Sequence, residues 1–217
     1  MATYESLIKI NGSIGDLVFY NLNGKNVVRK KSGFNKDAFK KSPSYEKVRQ
    51  NSSEFGHCSK AGKTIRSCIE SYTKEAGDPL LYQKFAKLMT LIKDLDTVSE
   101  RGRRTVQNGL LKEEGLKLLK GFRFGEKENI HPEVYVSEEK DHRVLHWGNQ
   151  ISGNEMMIIT IQPDFDAYAA EYFEEKVFVK QKREIYFEKH FSEATLLLYF
   201  LVIRNKEEII QMGFVGM

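Results

Sequence analysis

From Ser42 to Tyr72, apolar and small residues return at steps of three and four: Val48, Ser52, Phe55, Ser59, Gly62, Ile65, Ile69 and Tyr72. That spacing marks one face of an α-helix. Ser42-Pro43-Ser44-Tyr45-Glu46 supplies its start, with a hydroxyl for the orphan amides, a proline suited to the first turn and an acid near the positive helix end. The segment also carries Gly56, Ala61 and Gly62. A glycine inside a helix costs about 1 kcal/mol relative to alanine, so the pattern predicts that a neighbouring helix or strand comes close to this backbone. A second helix is predicted after Asp78-Pro79, with Leu81, Phe85, Leu88, Met89, Ile92 and Leu95 in register and Gly77-Asp78-Pro79 as the turn of a helical hairpin. Leu110 to Lys120 reads as a third helix stopped by Gly121, while residues 97–108 are open to helix or loop.

On either side of these helices the period shortens. Leu7, Ile8 and Ile10 form a short apolar segment, Gly12-Ser13-Ile14-Gly15 breaks it, and Leu17-Val18-Phe19-Tyr20 is rich in strand formers. Asn23-Gly24 is a hairpin signal because both residues tolerate positive φ, and Val27-Val28-Arg29 is the returning strand. After Phe122, seven β-like runs follow: Val134–Val136, Val144–Trp147, Met156–Ile161, Val177–Val179, Ile185–Phe187, Thr195–Ile203 and Ile209–Val215. The run Leu196–Ile203 is apolar throughout and is predicted to be a central strand buried on both sides, with a helix as the other reading of so apolar a run; Asp166 to Glu175 reads as a short helix or a bridging loop. The fold class is therefore α+β. An N-terminal β-hairpin and helical layer occupies residues 1–121, and a C-terminal antiparallel β-sandwich, immunoglobulin-like or jelly-roll-like, occupies 122–217.

A hydrophobic content of 41% with 29% charged residues belongs to a globular chain rather than a disordered one. No run of about 18 apolar residues occurs, so no membrane insertion is expected. Met1-Ala2-Thr3-Tyr4-Glu5-Ser6 lacks the basic start and apolar core of a secretory signal. Cys58 and Cys68 are the only cysteines; ten positions apart on one helix, they are too distant to bridge. Free thiols and the missing signal both point to a cytoplasmic protein. Charge changes the picture more than composition does. Residues 1–125 hold 24 Lys and Arg against 13 Asp and Glu, whereas residues 126–217 hold 10 against 17, so the chain is electrically two-ended at +11 and −7. Such a chain can steer a charged partner or stack head to tail with copies of itself.

The basic end is concentrated in Arg29, Lys30, Lys31, Lys36, Lys40 and Lys41, interleaved with Phe34 and Phe39, and again in Arg101, Arg103 and Arg104. Cations alternating with aromatic rings suit a subunit contact anchored by the two phenylalanines, or phosphates with stacked bases, and the same charge pattern also fits a solvated arm. Motifs of catalysis are missing or incomplete. Gly62-Lys63-Thr64 ends like a phosphate-binding loop, but His57 stands where its first glycine is required, and the stretch lies inside a helix whose amides are already bonded. His142 and His146 with Asp141 have no further ligand at metal-binding spacing. Asp164 with Asp166, and Glu174 with Glu175, read as solvated acids.

Gly12-Ser13-Ile14-Gly15, Val18-Phe19-Tyr20, Asn23-Gly24-Lys25 and Val28-Arg29, followed by Glu54-Phe55-Gly56, Ser59-Lys60-Ala61-Gly62-Lys63 and Ile65-Arg66, together resemble a group of uncharacterised bacterial proteins. Those proteins open with a Gly-containing hairpin ending in Arg, followed by a helix carrying a Phe-Gly step. The likeness covers the first third of the chain; it implies a bacterial origin and nothing catalytic. The expected function is a non-enzymatic structural or interaction subunit, without cofactors, that assembles with itself or with a larger bacterial or phage-like particle. The alternative is a nucleic-acid-binding protein that uses the basic arm.

Overall fold

Asn23 and Gly24 adopt φ of 51° and 82°, the paired positive values that a two-residue hairpin turn requires. The Gly24 amide donates to Asn21 Oδ1 at 2.9 Å. The turn joins β3 (Leu17–Leu22) to β4 (Lys25–Lys30), as the sequence predicts. Gly12-Ser13-Ile14 does not break the pattern but forms a strand, β2 (Gly12–Ile14), paired with β3 across a turn at Gly15, whose φ is 54°. With β1 (Ala2–Thr3) the antiparallel sheet runs β1-β4-β3-β2. The basic arm is not wholly a loop: its second half is the helix α1 (Lys36–Lys41). The computed structural model describes residues 2–6, 9–31, 33, 36–148, 153–179, 184–191 and 196–216; the predicted segment at Leu7 and Ile8 lies outside them. The chain divides into two compact units, Met1–Arg49 and Gln50–Met217.

Ser42 caps a single 3-10 turn, Pro43–Tyr45, its Oγ accepting from the Ser44 amide, and α2 (Glu46–Ser67) follows. The predicted helix is broken near its end, with α3 (Glu70–Ala76) closed by Gly77 in the left-handed region at φ 71°. Next comes α4 (Leu81–Lys93), as expected. The predicted third helix is two short ones, α5 (Val106–Leu110) and α6 (Glu113–Lys120), packed closely through glycine. A Cβ on Gly109 would fall on the Ile92 carbonyl, and one on Gly115 would fall on the Gly109 carbonyl.

All seven C-terminal runs are strands: β5 (Tyr135–Glu138), β6 (His142–His146), β7 (Glu155–Asp164), β8 (Ala169–Phe178), β9 (Glu184–Glu188), β10 (Leu198–Asn205) and β11 (Glu208–Val215). The reading of residues 166–175 as helix or loop is corrected, because β8 pairs along its whole length with β7. The sheets are ordered β11-β10-β7-β8 and β5-β6-β9. First, second and fifth strands in one sheet, with third, sixth and seventh in the other, is the immunoglobulin arrangement; here the fourth strand lies beside the third.

The expected boundary at 121/122 does not hold, and β10 shows why. Leu198, Phe200 and Val202 join one core with Cys58, Ile65, Phe85, Ile92 and Leu110 from the helices. The alternate residues Tyr199, Leu201 and Ile203 join a second core with Val136, Leu145, Ile185 and Phe187 from the smaller sheet. The four-stranded sheet is thus the middle layer of three, and the helices share its core rather than forming their own domain. Phe85, Phe124, Phe200 and Phe214 meet in the first core with ring centroids 5.0–6.5 Å apart.

Candidate functional site

Two surfaces hold the residues that the sequence singles out. In the Met1–Arg49 unit, Arg29 and Lys30 end β4, Lys31 follows, and Lys36, Lys40 and Lys41 lie on α1. All six are exposed, and none has a carboxylate partner among the described residues. Phe34 lies outside the described residues. Phe39 is half-buried, edge-on to Tyr45 at 5.8 Å, and its carbonyl accepts from Arg49. The sheet beside this arm carries apolar residues on both faces. Register places Ile14, Leu17, Phe19 and Val28 on one face and Val18, Tyr20, Leu22 and Val27 on the other, yet Val27 is the only buried residue of the unit among those described.

The second surface begins with an acid inside a helix. Glu54 on α2 is 3% exposed. Its carboxylate accepts from Arg104 Nε at 2.8 Å and Nη2 at 2.7 Å, from Lys93 Nζ at 2.8 Å and from the Gly102 amide at 2.7 Å. The Arg104 fork holds the carboxyl well below its usual range; burial opposes this, and Lys93 and the Gly102 amide reinforce it. Asp94 Oδ1 closes the network on Lys93 and Arg104. Asp96 is buried as well, accepting from the amides of Val98, Ser99 and Thr105 and from Asn108 Nδ2. Burial raises its pKa, but these donors outweigh that and leave the group below the ordinary range. Two buried carboxylates therefore fix the loop from α4 to α5, and with it the predicted basic cluster. The three arginines end differently. Arg104 is occupied by Glu54 and Asp94, and Arg101 donates to Asn51 Oδ1. The exposed Arg103 guanidinium has no acceptor among the described residues.

Beside this loop opens a cleft of about 420 Å³, lined by Ser52, His57, Lys60, Arg103, Thr105 and Tyr168 among others. His57 Nε2 accepts from the Val106 amide at 3.0 Å, so its proton sits on Nδ1, which faces Tyr168 Oη at 3.1 Å. Desolvation lowers the His57 pKa, Asp166 opposes and Lys60 adds to the lowering, the same direction as the neutral ring that an accepting Nε2 requires. Nδ1–H thus donates to the phenol oxygen, and the Tyr168 hydroxyl proton is left to point elsewhere. Lys60 Nζ stands over the Tyr168 ring at 4.8 Å from its centroid. Tyr168 takes φ 53° in the β7–β8 turn, a left-handed conformation costly for a bulky residue. Its contacts with His57 and Lys60 are what hold it there.

Sequence reasoning found the arginines of this surface but not Glu54, His57, Lys60 or Tyr168. The available signal was the sequence Glu54, Cys58, Ala61, Ile65, Cys68 and Tyr72, spaced by fours and threes. The discarded candidates have structural places. Gly62 packs on α4, where a Cβ would meet Met89 Cγ at 3.1 Å and Phe85 Cδ1 at 3.3 Å, and Thr64 is buried. On β6, His142 faces Glu139 at 2.8 Å and His146 bonds Ser137 at 2.8 Å. No group of three or more His, Cys, Asp or Glu stands together as a metal site among the described residues. No helix among them is long and apolar enough to cross a membrane. No protein-family model matches the chain, and no curated protein and no solved structure matches it.

Proposed function

We propose that this chain is a non-catalytic assembly subunit whose Met1–Arg49 unit docks on a second copy of the chain. The observation that carries the reading is the sheet β1-β4-β3-β2, which holds apolar residues on both faces, of which Val27 alone is buried. Ordering a residue costs about 1–2 kcal/mol of backbone entropy, and one buried valine does not offset that for such a unit. Side chains such as Ile14, 60% exposed, and Leu17, 42% exposed, are the surface that a partner covers. Charge favours another copy as that partner. The unit holds ten Lys and Arg against four Asp and Glu, and residues 126–217 carry −7. The acidic part ends its larger sheet in the edge strand β8, where Glu171 and Glu174 are exposed. A basic unit meeting an acidic edge is a head-to-tail contact, which builds rings or filaments and suits a particle. Buried free thiols at Cys58 and Cys68 support a cytoplasmic setting.

Light-scattering mass over a concentration series at low and high salt tests this. The expected result is a nucleic-acid-free mass above 25.1 kDa that rises with concentration and is reduced by Leu17→Asp and by Glu171→Lys. A 25.1 kDa monomer at every concentration overturns the proposal. A sample loaded with nucleic acid that becomes a clean monomer at high salt overturns it in favour of the alternative, binding through Arg29, Lys30, Lys31, Lys36, Lys40 and Lys41.

A further inference from the structure

The cleft beside the α4–α5 loop combines three properties that a structural surface does not need together. It is concave and lined mostly by residues with polar side chains. Its positive charge is uncommitted, because among the described residues neither Lys60 nor Arg103 faces a carboxylate within ion-pair distance, whereas Arg104 next to them is fully engaged. It also has a neutral donor of fixed direction. The Val106 amide fixes the His57 tautomer, His57 occupies an acceptor site of the Tyr168 oxygen, and the phenolic hydrogen is left without an acceptor on His57. Glu54, the acid among the lining residues, is saturated by Arg104, Lys93 and the Gly102 amide and has nothing to offer a ligand as an acceptor.

We infer that this cleft binds a phosphate monoester or free phosphate, with Arg103 and Lys60 supplying the opposite charge and the Tyr168 hydroxyl a directed hydrogen bond. Two free cations match a dianion better than a single carboxylate, and a guanidinium matches two oxygens of a tetrahedral oxyanion side by side. The donors stand on different elements: Lys60 on α2, Arg103 on a loop pinned by Glu54 and Asp96, and Tyr168 on the β7–β8 turn. Tyrosine in a left-handed turn position where glycine or asparagine fits without strain is explained by this placement of its hydroxyl.

The test is a calorimetric titration of the full chain with inorganic phosphate, and separately with glycerol 3-phosphate, at constant ionic strength balanced with chloride. Saturable binding of inorganic phosphate with Kd on the order of 1 mM or tighter is expected. Tighter binding of glycerol 3-phosphate identifies an esterified ligand, and equal binding identifies free phosphate. Arg103→Ala lowers affinity about tenfold, and Tyr168→Phe, which keeps the ring beneath Lys60, lowers it about threefold to tenfold. Arg101→Ala is the control: Arg101 belongs to the same basic cluster but donates to Asn51 and does not line the cleft, so affinity is unchanged. Absence of saturable binding overturns the inference, as does equal weakening by Arg101→Ala and Arg103→Ala, the mark of a diffuse counterion atmosphere. Arg103 is exposed, so its replacement leaves the fold intact, and a melting curve of each variant confirms it.

Discussion

A single residue, Glu54, shows how far charge enters this interior. It is 3% exposed and Lys93 is 4% exposed, and breaking a buried pair by removing one partner costs about 3–5 kcal/mol, because the other charge stays buried. Glu54→Gln is therefore expected to lower the urea-unfolding free energy at pH 7 by about that amount; an unchanged midpoint would mean that water already solvates the network. The same residue sets a pH dependence. Glu54 and Asp96 both have folded pKa values depressed below their unfolded ones, which are about 4.3 and 3.9. Their contribution is fully present above those unfolded values and is lost as pH falls through the folded ones. Urea midpoints are expected to drop between pH 5 and pH 3, and to drop less in Glu54→Gln than in the parent protein. An identical acid response in both would remove Glu54 as the cause.

Among the elements, α2 is where the pattern of the sequence was most informative and also misled. The helix, its Ser42 start and the close approach at Gly62 were all legible, as were both strands of the Asn23-Gly24 hairpin. The buried face was legible only from Gly62 onward. Val48 and Phe55 are the bulky apolar residues of the first half, yet they are 49% and 61% exposed. The structure buries Glu54, Cys58 and Ala61 instead, because a carboxylate with four donors can stay inside while small residues let α4 come near. The spacing of Cys58, Ala61 and Ile65 carries the face on which Glu54 lies, but no period reveals the partners of a buried acid that lie far along the chain. Tyr168 was illegible for the same reason, its partner His57 being 111 positions away. Glycine substitutions test the packing of these helices. Gly62→Ala meets movable side chains at 3.1–3.3 Å, and its gain of about 1 kcal/mol in helix propensity offsets the crowding, so near-neutral stability is expected. Gly109→Ala runs into the Ile92 backbone carbonyl and is expected to cost about 1–3 kcal/mol. Equal unfolding free energies for the two variants would refute this ranking.

At the scale of the molecule, the strands were legible one by one but their layering was not. The unbroken apolar run of β10 marks a strand buried on both sides, yet nothing local to it says that one side meets helices and the other a second sheet. The sequence period places the boundary at residues 121/122, whereas the chain divides into compact units at Arg49. Stability should follow that division. Amides of β3 and β4, in a unit whose described residues bury only Val27, are expected to exchange with solvent far faster than those of β10 and, on the proposed self-assembly, to gain protection as concentration rises. Equal protection in β3 and β10 at the lowest concentration would show that the unit needs no cover. The place of β10 in both cores also bears on how the chain comes into being on the ribosome. The helices are made first, but of the strands that close their apolar face, β7 is made 35 or more residues after Lys120, and β10 and β11 78 or more, several seconds later at about 5–20 residues per second. Until then the nascent helices have only part of their sheet to rest on, and the newborn chain is a substrate for whatever shields exposed apolar surface in the cell.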